Sequence, residues 1–245
     1  MASPAFATIA IPLLAAIGGA LAGGLPPWVL ARRASKEVLA RDAMARRERE
    51  LGLARQVFVK LTIAVNEIMG FHRQVELMIA KADSDGNGHM PVWQRLSTFV
   101  GIDRNPVVEF DAQELSVFIA ARAMDYVDAL ILLSRRHAAV VTSLAAFAQM
   151  RIEFQYEIAK SGNSTRNESG VSTTAVRVPP GRENYFRFKS EELSLFAENM
   201  RGLLTDYANF AARVAEKFGP ISEAYFGEGQ LPYLEDTPAG NDTVK

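Results

Sequence analysis

Residues 83–90 read DSDGNGHM, the stretch whose residue types and spacing come nearest to chemistry. A calcium loop of the helix–loop–helix kind takes oxygen ligands at positions 1, 3, 5, 7, 9 and 12, with glycine at position 6. Asp83, Asp85 and Asn87 occupy the first three of these positions, and Gly88 the glycine position. The rest of the loop departs from the pattern. Gln94, a neutral amide, stands where a bidentate carboxylate completes the shell, and Pro91 and Met90 fill positions 9 and 8. No second loop follows to pair with it. Asp, Ser, Asn and Gly are also the residues that a sharp turn between helices selects. The expectation for residues 83–94 is a turn, with no metal and no cofactor assigned.

The histidines are the next candidates. His72 and His137 fall on the apolar sides of two helical stretches, and by helical phase Glu67, Glu76, Glu153 and Glu157 are their nearest acids. If the two helices pack antiparallel, the histidines approach each other. A dinuclear bundle site needs Glu-x-x-His on its helices, and the sequence has none. It also lacks HExxH, GxSxG and a P-loop. Each histidine is therefore expected to be a boundary residue with one nitrogen bonded. Arg122 and Arg151 share the inner side of the second helical stretch and are expected to pair with acids or to snorkel. No catalytic residue is assigned.

Composition narrows the function classes further. The chain has 245 residues and a formal net charge of −1, so no global basic field calls for nucleic acid. With no cysteine, disulfides, thiolate metal sites and cysteine nucleophiles are all excluded.

The elements that would carry these residues begin at a membrane. Residues 1–31 contain no charged side chain, and residues 6–25 form an apolar run of 20. About 20 helical residues cross a hydrocarbon core of ~30 Å. Pro26 and Pro27 are expected to stop or re-aim that helix, and Trp28 suits the headgroup layer. Between Arg32 and Gln56 stand eight Lys or Arg against four Asp or Glu. The basic flank puts the bulk of the chain in the cytoplasm and the N-terminus outside. A cleaved leader ending near Ala20-Leu21-Ala22 is the competing reading. It lacks a basic segment ahead of the apolar run, which favours a retained anchor. Gly19 and Gly23 form GxxxG, a spacing that lets two anchors approach closely, so homo-oligomer formation through them is an expectation.

Beyond the anchor, residues 32–50 read as a charged juxtamembrane stalk. From residue 51 the pattern changes. Leu51, Ala54, Phe58, Leu61, Val65, Ile68, His72, Val75 and Ile79 step by three and four, and Val57, Ala64, Phe71 and Met78 widen the stripe. So broad a face suits a bundle core better than a two-stranded coiled coil. A short helix is expected over residues 92–100, ended by Gly101. Asp111 with Glu114 three residues on forms a capping box, and the helix it opens is expected to run to about Lys160. Residues 130–133 are too short an apolar run to add a second span. Residues 161–184 are rich in Ser, Thr, Asn and Gly and read as a flexible loop. A last helix is expected over residues 190–218, stopped by Gly219-Pro220, with a disordered tail at 227–245. FDAQELSVF at 110–118 and FKSEELSLF at 188–196 share five of nine residues, an echo that two amphipathic helix starts would produce.

The expected fold is all-α: an N-terminal transmembrane helix continuing into a long helix of an antiparallel helical bundle (residues 51–226). The function expected is that of a membrane-anchored module for protein interaction or scaffolding, with no catalytic chemistry and an unknown protein partner. The alternative is a tethered ligand or signal sensor that uses the bundle core or the 83–94 loop as receiver.

Overall fold

A computed structural model describes residues 4–97, 99, 107–166, 172–176 and 180–232, with side chains over 30–97, 99, 107–160 and 180–232. Five helices follow in order: α1 (Pro4–Ser84), α2 (Val92–Arg95), α3 (Ala112–Ala120), α4 (Met124–Ser161) and α5 (Glu183–Phe226). A ribbon of β1 (Gly162–Arg166) and β2 (Ser172–Val176) joins α4 to α5. The chain divides into two compact units, Met1–Gly52 and Leu53–Lys245.

The first unit is one stretch of α1. Its helix continues across Pro26 and Pro27 and does not stop there. A proline removes its own N–H, but its carbonyl still accepts, so the turns on either side remain bonded. From residue 30 to residue 49 every side chain but Ala45 is exposed, and Arg46 pairs with Glu50 one turn on at 2.9 Å. The side chains of residues 1–29 lie outside the described residues, and with them the expected anchor and its Gly19–Gly23 seam. Among the described residues, the helix long and apolar enough to cross a membrane is Met124–Lys160, in mid-chain. This differs from the expectation that only the N-terminal run would qualify. Its most apolar window is 33% buried, and Leu130, Leu133, Val140, Leu144 and Phe147 face the core of the second unit.

The second unit is held by a core that the α1 stripe anticipates. Ala54, Val57, Leu61, Ala64, Ile68, Phe71, Val75 and Ile79 are all buried. The α5 seam is Leu193, Ala197, Met200, Leu204, Ala208, Ala211, Val214 and Phe218. Its alanines let neighbouring helices come close, while Phe196, Tyr207 and Phe210 flank the seam half-buried. Phe218 closes one end of the core, with ring centroids 5.3 Å from Phe58 and 6.0 Å from Phe118. Trp93 closes the other end, 5.4 Å from Phe154 and bonded through Nε1 to Ser190 Oγ at 3.1 Å.

Contacts along the helices fix their directions. Phe58 meets Phe218, His72 meets Thr205, and Glu76 meets Arg201, so α5 runs opposite to α1. Arg136 covers Phe210, Phe147 meets Phe196, and Phe154 meets Phe186, so α5 also runs opposite to α4. It follows that α1 and α4 run the same way. The turn at residue 83 therefore does not fold the second long helix back along the first. The return is made before α3, and its last part, residues 107–110, lies along α4. Ser134 Oγ donates to the Val108 carbonyl at 2.8 Å, and the Val108 N–H donates to His137 at 3.3 Å.

Other boundaries also differ from the sequence reading. α2 is a single turn, because Leu96 turns extended to enter the core; the expected stop at Gly101 lies outside the described residues. The Asp111 capping box forms as expected, with Glu114 N–H on Asp111 Oδ1 at 2.8 Å and Asp111 N–H on Glu114 Oε2 at 2.9 Å. The helix it opens does not reach Lys160, because a break at residues 121–123 separates α3 from α4. The break resets the helical phase, and Ile119 just before it is 49% exposed. α5 starts seven residues early and passes through Pro220 to Phe226. One lost bond and a ring clash cost ~3 kcal/mol, and burial of Phe218 and Phe226 on either side of the proline offsets it. Residues 188–196 lie inside α5 with Phe188 exposed, so their echo of the α3 cap is not structural. The expected loop holds a paired ribbon, Gly162↔Val176 through Arg166↔Ser172, built on β-branched Thr165, Thr173, Thr174 and Val176. Of the expected tail, residues 233–245 lie outside the described residues.

Candidate functional site

The DSDGNG stretch is the C-terminal cap of α1. Asn87 N–H reaches the Ala82 carbonyl at 2.8 Å and Gly86 N–H reaches that of Asp83 at 3.1 Å. This pair of bonds is a Schellman motif, whose penultimate residue is left-handed. Gly86 takes that place at φ +80°, so the glycine the turn requires is Gly86, not the Gly88 of a calcium loop. Asp83, the would-be first ligand, is bound to Arg95 Nη2 at 2.5 Å and packs over Gly88. His89 Nδ1 lies 3.1 Å from the Gly86 carbonyl. Among the described residues no group of three or more His, Asp or Glu is placed to share a metal ion.

The two histidines that sequence phase brings forward do not meet. His137 is fully buried in α4, with both nitrogens engaged. Nε2 lies 2.6 Å from Glu67 Oε2 on α1, and Nδ1 receives the Val108 N–H. An N–H aimed at Nδ1 requires a lone pair there, so the ring carries its proton on Nε2 and donates it to the carboxylate. Neither nitrogen is left to abstract a proton, so the group is a clamp holding residue 108 against α4. His72 reaches Thr205 Oγ1 at 3.3 Å. The expectation of one bonded nitrogen thus fits His72 and understates His137. The remaining acids are spent separately. Glu153 accepts from Gln149 at 2.7 Å, and Glu157 accepts from Tyr185 at 2.9 Å. Glu76 takes both Arg201 Nε and Nη2 at 2.7 Å. That guanidinium holds the Glu76 carboxyl below its ordinary range, and the carboxylate raises Arg201 in return. Arg151 donates to the Leu96 carbonyl and helps fix α2 against α4. Arg122 does not share its face.

Arg122 marks the site that sequence reading missed. Ala123 N–H bonds the Phe118 carbonyl at 2.9 Å, and Arg122 N–H bonds that of Ile119 at 3.0 Å. This is a second Schellman motif, with arginine where glycine belongs, at φ +59°. A side chain in that conformation costs ~1–2 kcal/mol. A cleft of about 330 Å³ opens beside it, lined by Arg122, Ala123, Met124, Asp125, Tyr126, Lys217 and Ile221. Tyr126 is 2% exposed, and its hydroxyl has no hydrogen-bond partner among the described residues. The cleft sits at the start of α4, whose first N–H groups carry the positive end of the helix dipole. No glycine, proline or motif in AARAMDY announces any of this.

The surface carries a different feature. α1 turns one apolar stripe into the core and a second one outward. Val59, Ile63 and Leu77 lie 55%, 42% and 59% exposed on one outer line with Gly70, beside which a Cβ would meet nothing. On α5, Phe188 and Leu195 stand outward two turns apart.

No family model, curated protein or solved structure matches the chain.

Proposed function

We propose that the chain is a membrane-anchored helical module for protein interaction. Residues 6–25 act as the anchor, and the unit from Leu53 onward presents the binding surface on the cytoplasmic side. One observation carries this reading: the outer stripe of α1 at Val59, Ile63 and Leu77. A helix with only water on its outer side gains nothing from three large apolar side chains in register there, whereas a partner would bury them. The uncharged run at residues 1–31 and its arginine-rich flank support the anchor. A tethered sensor is the second reading. Its receiver would be neither the core around His137 nor the 83–94 loop, whose Asp83 is engaged, but the cleft at Arg122.

The test is chemical cross-linking in intact membranes followed by affinity recovery. Wild type is compared with the triple variant Val59→Glu, Ile63→Glu, Leu77→Glu, whose changes lie outside the core. The reading expects a specific protein recovered with wild type and lost with the variant. Recovery of none, or equal recovery with both, overturns it.

A further inference from the structure

Three unfavourable features coincide at the α3–α4 junction. Arg122 holds a left-handed backbone that glycine would hold more cheaply. Arg122 and Lys217 bring two cations, against the single carboxylate of Asp125, to the end of α4 where the helix dipole is already positive. Tyr126 lines the same cleft, is 2% exposed, and carries a hydroxyl with no acceptor among the described residues. A buried donor left unbonded in a native fold calls for a specific reason. Strain gathered in one cleft is the usual mark of a site shaped for something else. One ligand chemistry answers the last two of these features. An oxyanion brings acceptors for the phenol, opposes the two cations, and accepts from the free N–H groups at the start of α4.

We propose that the cleft between Arg122, Tyr126 and Lys217 is a binding site for a phosphate group. Arg122 and Lys217 supply its counter-charge, the first turn of α4 supplies backbone donors, and the Tyr126 hydroxyl donates to one oxygen. This site is independent of the interaction stripe on α1, and either can fail without the other. The cleft lies at the end of the second unit marked by Phe58 and Phe218. A phosphate there comes either from solution or from a lipid headgroup.

The experiment measures thermal unfolding of the full chain in uncharged detergent. Inorganic phosphate and sn-glycerol 3-phosphate, a soluble headgroup probe, are titrated separately against chloride at matched ionic strength. Wild type should gain ~2 °C or more over chloride, an effect that scales with ligand concentration over Kd. Lys217→Gln, a change at an exposed side chain, should remove most of that gain, and Tyr126→Phe should weaken it. Arg122→Gly should raise the ligand-free Tm by ~2–4 °C by relieving the backbone, while abolishing the response. A greater response to glycerol phosphate assigns the group to a lipid headgroup, and a greater response to inorganic phosphate assigns it to a free ion. A wild-type gain no larger than that of chloride overturns the proposal, as does an undiminished gain in Lys217→Gln.

Discussion

Replacing His137 by leucine tests whether the ring is a clamp. The change keeps the volume close to that of histidine and removes both nitrogens. The Val108 N–H, at a residue 7% exposed, loses its acceptor. An orphaned buried N–H costs ~1–3 kcal/mol. Glu67 loses the Nε2–H donor, but its side chain is 22% exposed and water replaces part of that bond, so this loss is ~1 kcal/mol. The sum is ~2–4 kcal/mol, a large share of a typical domain's 5–15. Glu67→Gln behaves differently, because its amide oxygen still accepts from Nε2–H, and it should cost under ~1 kcal/mol. Equilibrium urea unfolding of the full chain in mild detergent reads both values. A His137→Leu change under ~0.5 kcal/mol would refute the clamp, and so would Glu67→Gln costing as much as His137→Leu.

Further outcomes follow from single contacts. Gly86→Ala should cost ~1 kcal/mol, because alanine is strained at φ +80°. Gly88→Ala should also destabilise, because its Cβ would meet the Asp83 carboxylate at 2.9 Å and displace it from Arg95; unchanged stability of either variant in urea unfolding would contradict this reading of the cap. Phe218→Ala should cost ~3–5 kcal/mol, since the ring is fully buried against Phe58 and Phe118. Because Glu76 is held below its ordinary value, its pair with Arg201 stabilises the fold above the unfolded carboxyl pKa of ~4.3. That contribution is lost as pH falls through the lower folded value. The partners are 36% and 42% exposed, so it is held to under ~1 kcal/mol. Arg201→Gln should flatten the difference in stability between neutral and acid pH, and an unchanged profile would remove the pair from the account.

The fold was legible where local chemistry and burial agree. The α1 stripe and the Asp111–Glu114 cap both formed where the residues placed them, because each needs only neighbours within a turn or two. Legibility ended where distant contacts override propensity. The residues around 121–123 have high helix propensity and no breaker, yet Phe118 must pack on Phe218 and Tyr126. The chain bends to allow both, with arginine in a conformation that no sequence rule assigns to it. Gly219-Pro220 shows the converse, a strong stop signal overridden by the burial of Phe218 and Phe226. The direction of α4 was hidden as well. It depends on where residues 107–110 lie, pinned to α4 by Ser134 and His137, and periodicity carries no information about such a segment. The candidate cleft was invisible for the same reason, since it arises from a break and a partner helix about 95 residues apart in sequence.

The central claim is that residues 6–25 anchor a cytoplasmic helical module. The chain has no cysteine, so an introduced one is its sole thiol. The most direct measurement is labelling of Ser3→Cys and Ser84→Cys, each made singly, with a membrane-impermeant maleimide before and after permeabilisation of the cell membrane. The account predicts that position 3 is labelled in intact cells and position 84 only after permeabilisation, with both proteins in the membrane fraction. Labelling of position 84 in intact cells, or recovery of the full chain in the soluble fraction, would contradict it.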